Sequence, residues 1–240
     1  SSHARHRSGP ALTRTANDRK SRGITEVVVG KAGARPGTTD AETSAGPRDG
    51  IRKKGAGMDV IETEIPDVKR IAVKRFGDTR GWFSETFRAD ALARVGITTP
   101  FVQDNQSFSA PQGTIRGLHF QIAPRAQAKL IRVLQGAILD VAVDIRSGSP
   151  TYGKYVAVTL DAETGDQLYI PHGFAHGFCT LTPDVMVAYK VDEYYSPEHD
   201  RALAWNDPEV GIPWPVSGEA AILSDKDRRA PRLADLGQVF

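Results

Sequence analysis

From residue 69 to residue 191 the chain is cut into short segments rich in β-branched and aromatic residues, each bounded by Gly, Pro, Asn or Asp, and helical periodicity is scarce. That rhythm restricts the fold to an antiparallel sandwich or barrel. Strands are predicted over Arg70 to Phe76, Phe101 to Phe108, Thr114 to Gln121, Ala128 to Gln135 and Ala137 to Ile145, then over Lys154 to Leu160, Gln167 to Ile170, Ala175 to Leu181 and Val185 to Val191. Helix is expected only over Ala89 to Val95 and near Asp225. No internal repeat of roughly 20 to 50 residues is visible, which argues against propellers and solenoids. The two-residue joint Gln135-Gly136 suits an antiparallel hairpin between its flanking strands. In the second of these, Leu139, Val141, Val143 and Ile145 share one face, and Asp140, Ala142 and Asp144 share the other. Two carboxylates therefore lie on one face that is either solvated or lines a cavity.

The 240 residues divide unevenly. All aromatic residues fall between Phe76 and Phe240, and residues 1–57 carry 12 Lys or Arg against 5 Asp or Glu, leaving 19 against 24 for the remainder. A segment without aromatics buries little core. Met58 directly precedes the first patterned segment, Asp59 to Phe76, so residues 1–57 are expected to be a disordered basic tail or a non-native N-terminal extension, and residues 58–240 the folded domain. The basic charges are scattered, with no interleaved aromatics for stacking bases, so nucleic-acid binding is not expected. The longest apolar run near the N-terminus is Val27-Val28-Val29, and the run Ile138 to Ile145 is interrupted by Asp140 and Asp144. Neither a secretory signal nor a membrane span is expected, and the protein should be soluble. Cys179 is the single cysteine, which excludes an intrachain disulfide and fits a reducing cytoplasm; its apolar neighbours mark it as a buried small residue.

Three local sequences combine groups capable of chemistry: Arg116-Gly117-Leu118-His119-Phe120-Gln121, Pro171-His172-Gly173-Phe174-Ala175-His176-Gly177-Phe178, and Ala188-Tyr189-Lys190. His172 and His176 have the spacing of a zinc-binding helix, but Pro171, Gly173 and Gly177 forbid the helix and no Glu follows the first His. His119 has no second His two places on, as metal-binding cupins commonly do, so no metal is expected. Dinucleotide and P-loop fingerprints are missing, as is a nucleophile elbow. Acid and base chemistry by His, Tyr, Lys and Asp, without a cofactor, remains.

Those residues, taken with Arg80-Gly81-Trp82-Phe83-Ser84-Glu85, Gln103-Asp104-Asn105-Gln106-Ser107, Lys129, Asp140 to Arg146, Tyr194-Tyr195, Trp205-Asn206-Asp207-Pro208 and Leu223-Ser224-Asp225-Lys226-Asp227, resemble the dTDP-4-dehydrorhamnose 3,5-epimerases, in family order from about Met58 to Leu236. The resemblance implies an all-β jelly roll of the cupin type, a homodimer, and inversion of C3 and C5 of a dTDP-linked 4-keto-6-deoxyhexose with no cofactor. By position His119 matches the base, Asp227 the carboxylate that orients it (with Asp225 as the alternative), Lys129 the cation near the enolate oxygen, and Tyr189 the acid on the opposite face. His176 and Asp140 match a supporting pair, and Arg80, Glu85, Gln103, Asn105 and Arg116 match residues that hold the nucleotide. Two rival readings are a related enzyme that inverts one centre or moves the keto group, and a metal-binding cupin acting as an oxygenase or sugar-binding module.

Overall fold

A computed structural model describes residues 27–30, 52–54 and 58–240. In chain order the first strands are β1 (Val27–Gly30), β2 (Arg52–Lys54), β3 (Met58–Glu62), β4 (Lys69–Val73), β5 (Phe76–Asp78) and β6 (Gly81–Phe83). The helix α1 (Ala89–Arg94) separates them from β7 (Gln103–Ser109), β8 (Ile115–Gln121), β9 (Lys129–Gln135) and β10 (Ala137–Asp144). Then come β11 (Tyr155–Asp161), β12 (Gln167–Ile170), β13 (Phe174–Thr180), β14 (Val185–Val191), β15 (Asp200–Ala202), the one-turn helix α2 (Asp225–Arg228) and a 3-10 turn at Leu233–Asp235. One sheet has the order β1-β11-β10-β13-β8-β15 and the other β2-β3-β4-β12-β9-β14-β7, all pairs antiparallel, with β5 and β6 forming a separate hairpin. The two sheets face each other as a cupin-type jelly roll.

The nine predicted strands are present, two with the predicted ends and the others with ends moved by at most three residues. The expected hairpin across Gln135-Gly136 is not. β9 pairs with β12 and β14, whereas β10 pairs with β11 and β13, so the joint is a corner where the chain passes from one sheet to the other. A jelly-roll corner can be as short as a hairpin turn, so length alone does not distinguish them. Gly136 turns the corner at φ +77°, where a Cβ would meet Thr182 Oγ1 at 2.5 Å. Within residues 1–57, Val27–Gly30 pairs with β11 and Arg52–Lys54 with β3 as edge strands. The remainder of the expected tail lies outside the described residues. Among the described residues no helix is long and apolar enough to cross a membrane.

The space between the sheets is filled by Ile131 and Val133 from β9, Val156 and Val158 from β11, Val185 and Val187 from β14, and Phe174 and Phe178 from β13. These positions alternate along each strand, as burial of one face demands. Outer faces are covered too. Leu203, Val210 and Leu233 from the C-terminal segment pack over Val141, Val143 and Ile145 of the β10 region, and Leu92 of α1 packs over Val60 and Ile71. Both faces of β10 are therefore buried, and neither of its carboxylates is solvated: Asp140 and Asp144 are 0% exposed. Asp144 accepts hydrogen bonds from Arg146, Ser149 and Thr151 and ties the β10–β11 connection, while Asp140 points into the barrel end that holds the site. Cys179 is buried, as expected, beside Ile115 and Trp205.

Candidate active site

Arg116 and His119 lie three apart on β8, so a regular strand would place them on opposite faces. The strand is not regular. Arg116 pairs with Phe178 and His119 with His176, so β8 spends one more residue than β13 over the same stretch. This bulge turns both side chains toward one cavity. Gly117 makes it possible: its φ is +115°, and a Cβ there would stand 2.6 Å from the His176 carbonyl oxygen and 2.7 Å from Gly177 Cα. Neither backbone atom can yield. Gly117→Ala is therefore expected to cost about 2 to 4 kcal/mol by chemical denaturation, the combined scale of backbone strain and overpacking.

His119 Nε2 donates to Asp227 Oδ1 at 2.6 Å. Asp227 sits in α2, where Ser224 caps the helix by accepting from the Asp227 N–H at 3.1 Å and returns its own hydroxyl proton to Oδ2 at 2.8 Å. Burial opposes ionisation of Asp227, yet the hydrogen bond from His119, with those from Ser224 and the Gly117 N–H, holds it below the usual carboxylate range. A buried anion of this kind fixes the ring and the tautomer, which leaves Nδ1 as the nitrogen that can accept a proton. Asp225, the other candidate for this role, is exposed.

Across the barrel interior, the seven-stranded sheet contributes Lys129 from β9 and Tyr189 from β14, and both line the same cavity of about 480 Å³ as His119, Arg116 and His176. Lys129 is 8% exposed and its Nζ donates to the His119 carbonyl oxygen at 3.1 Å. Burial drops its ammonium to about 8, with Asp200 and Asp140 resisting the fall. Tyr189 is pushed up from its ordinary value by burial, with Arg116 opposing, so it is a protonated phenol at neutral pH. His176 donates to Asp140 at 2.7 Å, and burial pushes its value down, leaving a neutral imidazole beneath the cavity.

Gln103 and Asn105 of β7 are hydrogen-bonded to each other at 2.8 Å and line an adjoining cavity of about 350 Å³ that also touches His119, Lys129 and Tyr189. Arg116 is anchored by Ser109 Oγ at 3.0 Å and the Phe108 carbonyl at 2.9 Å. Arg80 and Glu85 stand apart from both cavities of their own chain. Arg80 lies at the tip of the β5–β6 hairpin, where its side chain is 88% exposed and paired with Asp78, and Glu85 follows on the exposed strand exit, 3.9 Å from Arg88. In sequence, Tyr195 and Lys226 fall within the matching motifs without a role, and Asp200 is not singled out; the three meet at the adjoining cavity, where Lys226 pairs with Asp200 and the Tyr195 hydroxyl donates to the same carboxylate at 3.1 Å. The signal available was adjacency, since Lys226 precedes Asp227 in the same short helix. His172 and His176, which share a zinc-like spacing, diverge: His172 turns outward to Asp192 and His176 inward to Asp140.

A base backed by a carboxylate on one sheet, with a cation and a phenol on the other, is equipped to take a proton from carbon, bear the resulting charge and give a proton back. Joined to this fold, that equipment defines a cupin-type isomerase acting on carbohydrates. The chain belongs to the dTDP-4-dehydrorhamnose 3,5-epimerase family, whose profile matches residues 62–235. A dTDP-4-dehydrorhamnose 3,5-epimerase of Sinorhizobium fredii is 52% identical over 176 residues, 73% of this chain and 90% of that protein. The crystal structure of the enzyme of that name from Bacillus anthracis, with TDP and PPi bound, is 55% identical, has a TM-score of 0.71 and covers 73% of this chain and 99% of that one. A dTDP-6-deoxy-D-glucose-3,5-epimerase from Legionella pneumophila, in complex with dTDP-4-keto-L-rhamnose, is 46% identical with a TM-score of 0.71, covering 75% and 94% respectively.

Proposed function

We propose that this protein converts dTDP-4-dehydro-6-deoxy-D-glucose to dTDP-4-dehydro-L-rhamnose by inverting C3 and C5, as a step in dTDP-rhamnose formation. The observation that carries the reading is the meeting of His119, Lys129 and Tyr189 from opposing sheets around one cavity. The C4 ketone acidifies the hydrogens on both neighbouring carbons, because the electron pair left by a departing proton spreads onto the carbonyl oxygen. His119 Nδ1 takes that proton and becomes imidazolium, steadied by Asp227. The enolate oxygen is met by the Lys129 ammonium, and the carbon is reprotonated from the opposite face by the Tyr189 phenol. Inversion results when removal and return use different faces. Neither step changes oxidation state, so no redox partner enters the balance.

Arg116, Gln103 and Asn105 are assigned to the nucleotide end, a guanidinium offering paired donors to a diphosphate and amides pairing with a base edge. Arg80 and Glu85 are assigned to the same end of a second subunit in a homodimer. Their hairpin exposes Phe76 at 50%, Trp82 at 58% and Phe83 at 68%, an apolar surface that is costly for a monomer to leave in water. A nucleotide-sugar substrate and a lone buried Cys179 suit a cytoplasmic setting.

Incubation with dTDP-4-keto-6-deoxyglucose in deuterated water, followed by NMR, is expected to place label at both C3 and C5. Label at a single centre would transfer the assignment to a one-centre epimerase, and no label at either would end it.

A further inference from the structure

Lys129 occupies a position where a strand normally frays. On one side it is the last residue of β9 to pair with β12, opposite Ile170, and on the other the last to pair with β14, opposite Val191. Beyond it the three-stranded ladder loses a main-chain donor: Pro171, next along β12, has no N–H. The buried N–H of Ala128 is satisfied instead by a side chain, donating to Asp192 Oδ1 at 2.6 Å. The other oxygen of the same carboxylate, Oδ2, receives His172 Nε2 at 2.8 Å. One carboxylate thus bridges the ends of β9, β14 and the β12–β13 turn, one residue beyond the amine. Gln127 continues the tie by donating to the Glu193 carbonyl at 2.6 Å.

We infer that Asp192, held by Ala128 and His172, is a positioning residue for Lys129, replacing the missing ladder bonds so that the ammonium stays inside the barrel end beside His119. The inference rests on the epimerase reading for its catalytic consequence and on the ladder geometry for its structural one. The groups around the clamp are His172, whose value its hydrogen bond to Asp192 raises, and Tyr169, raised chiefly by burial and further by Asp192 and Asp67. The groups around the amine itself are Asp200, Asp140 and Lys226.

The test compares the full chain with Asp192→Ala, Asp192→Asn and His172→Gln. Two readouts are taken: steady-state epimerisation across pH, and the NMR titration of the Lys129 ε-methylene, which needs no activity. Asp192→Ala is expected to lower kcat about 10-fold with little change in KM, the scale of a misplaced catalytic group. It should also move the Lys129 titration upward from about 8 toward the ordinary lysine value as the amine gains water. Asp192→Asn, which keeps an acceptor for the Ala128 N–H, should restore most of the rate and the low titration midpoint, and His172→Gln should fall between the two. An Asp192→Ala protein with lowered thermal stability but an unmoved Lys129 titration and wild-type kcat overturns the inference. If the wild type itself fails to epimerise, the functional reading falls, and the titration still decides whether Asp192 positions the amine.

Discussion

His119→Ala is expected to lower deuterium incorporation at C3 and C5 by roughly 100-fold or more, the usual contribution of a positioned base, while dTDP still binds and the protein still folds. The expectation of an intact fold comes from the surroundings of Asp227. That carboxylate is only 4% exposed, so stripping its partners would leave a buried charge unpaired. Losing the imidazole removes one donor, but the Ser224 hydroxyl and the Gly117 N–H remain. The ring itself is about one-third exposed toward the cavity, 34% for the side chain, so its removal opens space that water can fill. Calorimetry with dTDP separates the two halves of the expectation from each other. Wild-type exchange in the variant would remove His119 from the role of base, and loss of both binding and cooperative unfolding would make it a structural residue.

What the sequence discloses and what it withholds follow from the same geometry. A short aliphatic and aromatic run marks Gln167–Ile170 and alternating valines mark Val185–Val191, both without error, because these side chains are the ones the strands bury. β10 is legible for its period, but whether Asp140 and Asp144 are solvated is not, since Leu203 and Leu233 fold back over the valine face and leave the carboxylates on the Ala142 face turned toward the other sheet. Gln135-Gly136 reads as a hairpin because a corner between sheets uses the same two residues and the same permissive glycine. The bulge at Gly117 is the most consequential concealment. Period-two reasoning sends Arg116 and His119 to opposite faces, and only the extra residue on β8 unites them. His119, Lys129 and Tyr189 are far apart in the chain and no spacing rule joins them; their grouping was readable only through the family resemblance. Arg80 and Glu85 mark the reverse limit, a motif plain in sequence whose side chains do not reach the cavity of their own chain.

Lys129→Met is expected to make the protein more stable and far less active. Held at about 8 by burial, the ammonium of Lys129 sits well under its ordinary value of 10.5, so folding works against its charge. At pH 7 that displacement corresponds to a cost of about 3 kcal/mol. The sign follows from proton counting: between about pH 8 and 10.5 the unfolded chain binds the proton that the folded one has released, so wild-type stability rises with pH across that window. A methionine of similar length carries no such penalty. The variant should therefore unfold at higher denaturant, by about 1 to 3 kcal/mol at pH 7, and the gap should close as pH approaches 10.5. Asp140 keeps His176 and Asp200 keeps Lys226 and Tyr195, whereas the His119 carbonyl loses the Lys129 donor and Asp140, whose Oδ2 has no hydrogen-bond partner, loses a nearby cation, which holds the gain below the full cost of the buried charge. Activity moves the other way. In the proposed mechanism the ammonium meets the enolate oxygen, and removing such a donor costs roughly 100- to 1,000-fold in kcat. In the wild type kcat should fall as pH rises through about 8, where the charge is lost, and the residual rate of the variant should show no such limb. A methionine variant that is less stable than the wild type at pH 7, or one that keeps the alkaline limb, would place the buried charge somewhere other than on Lys129.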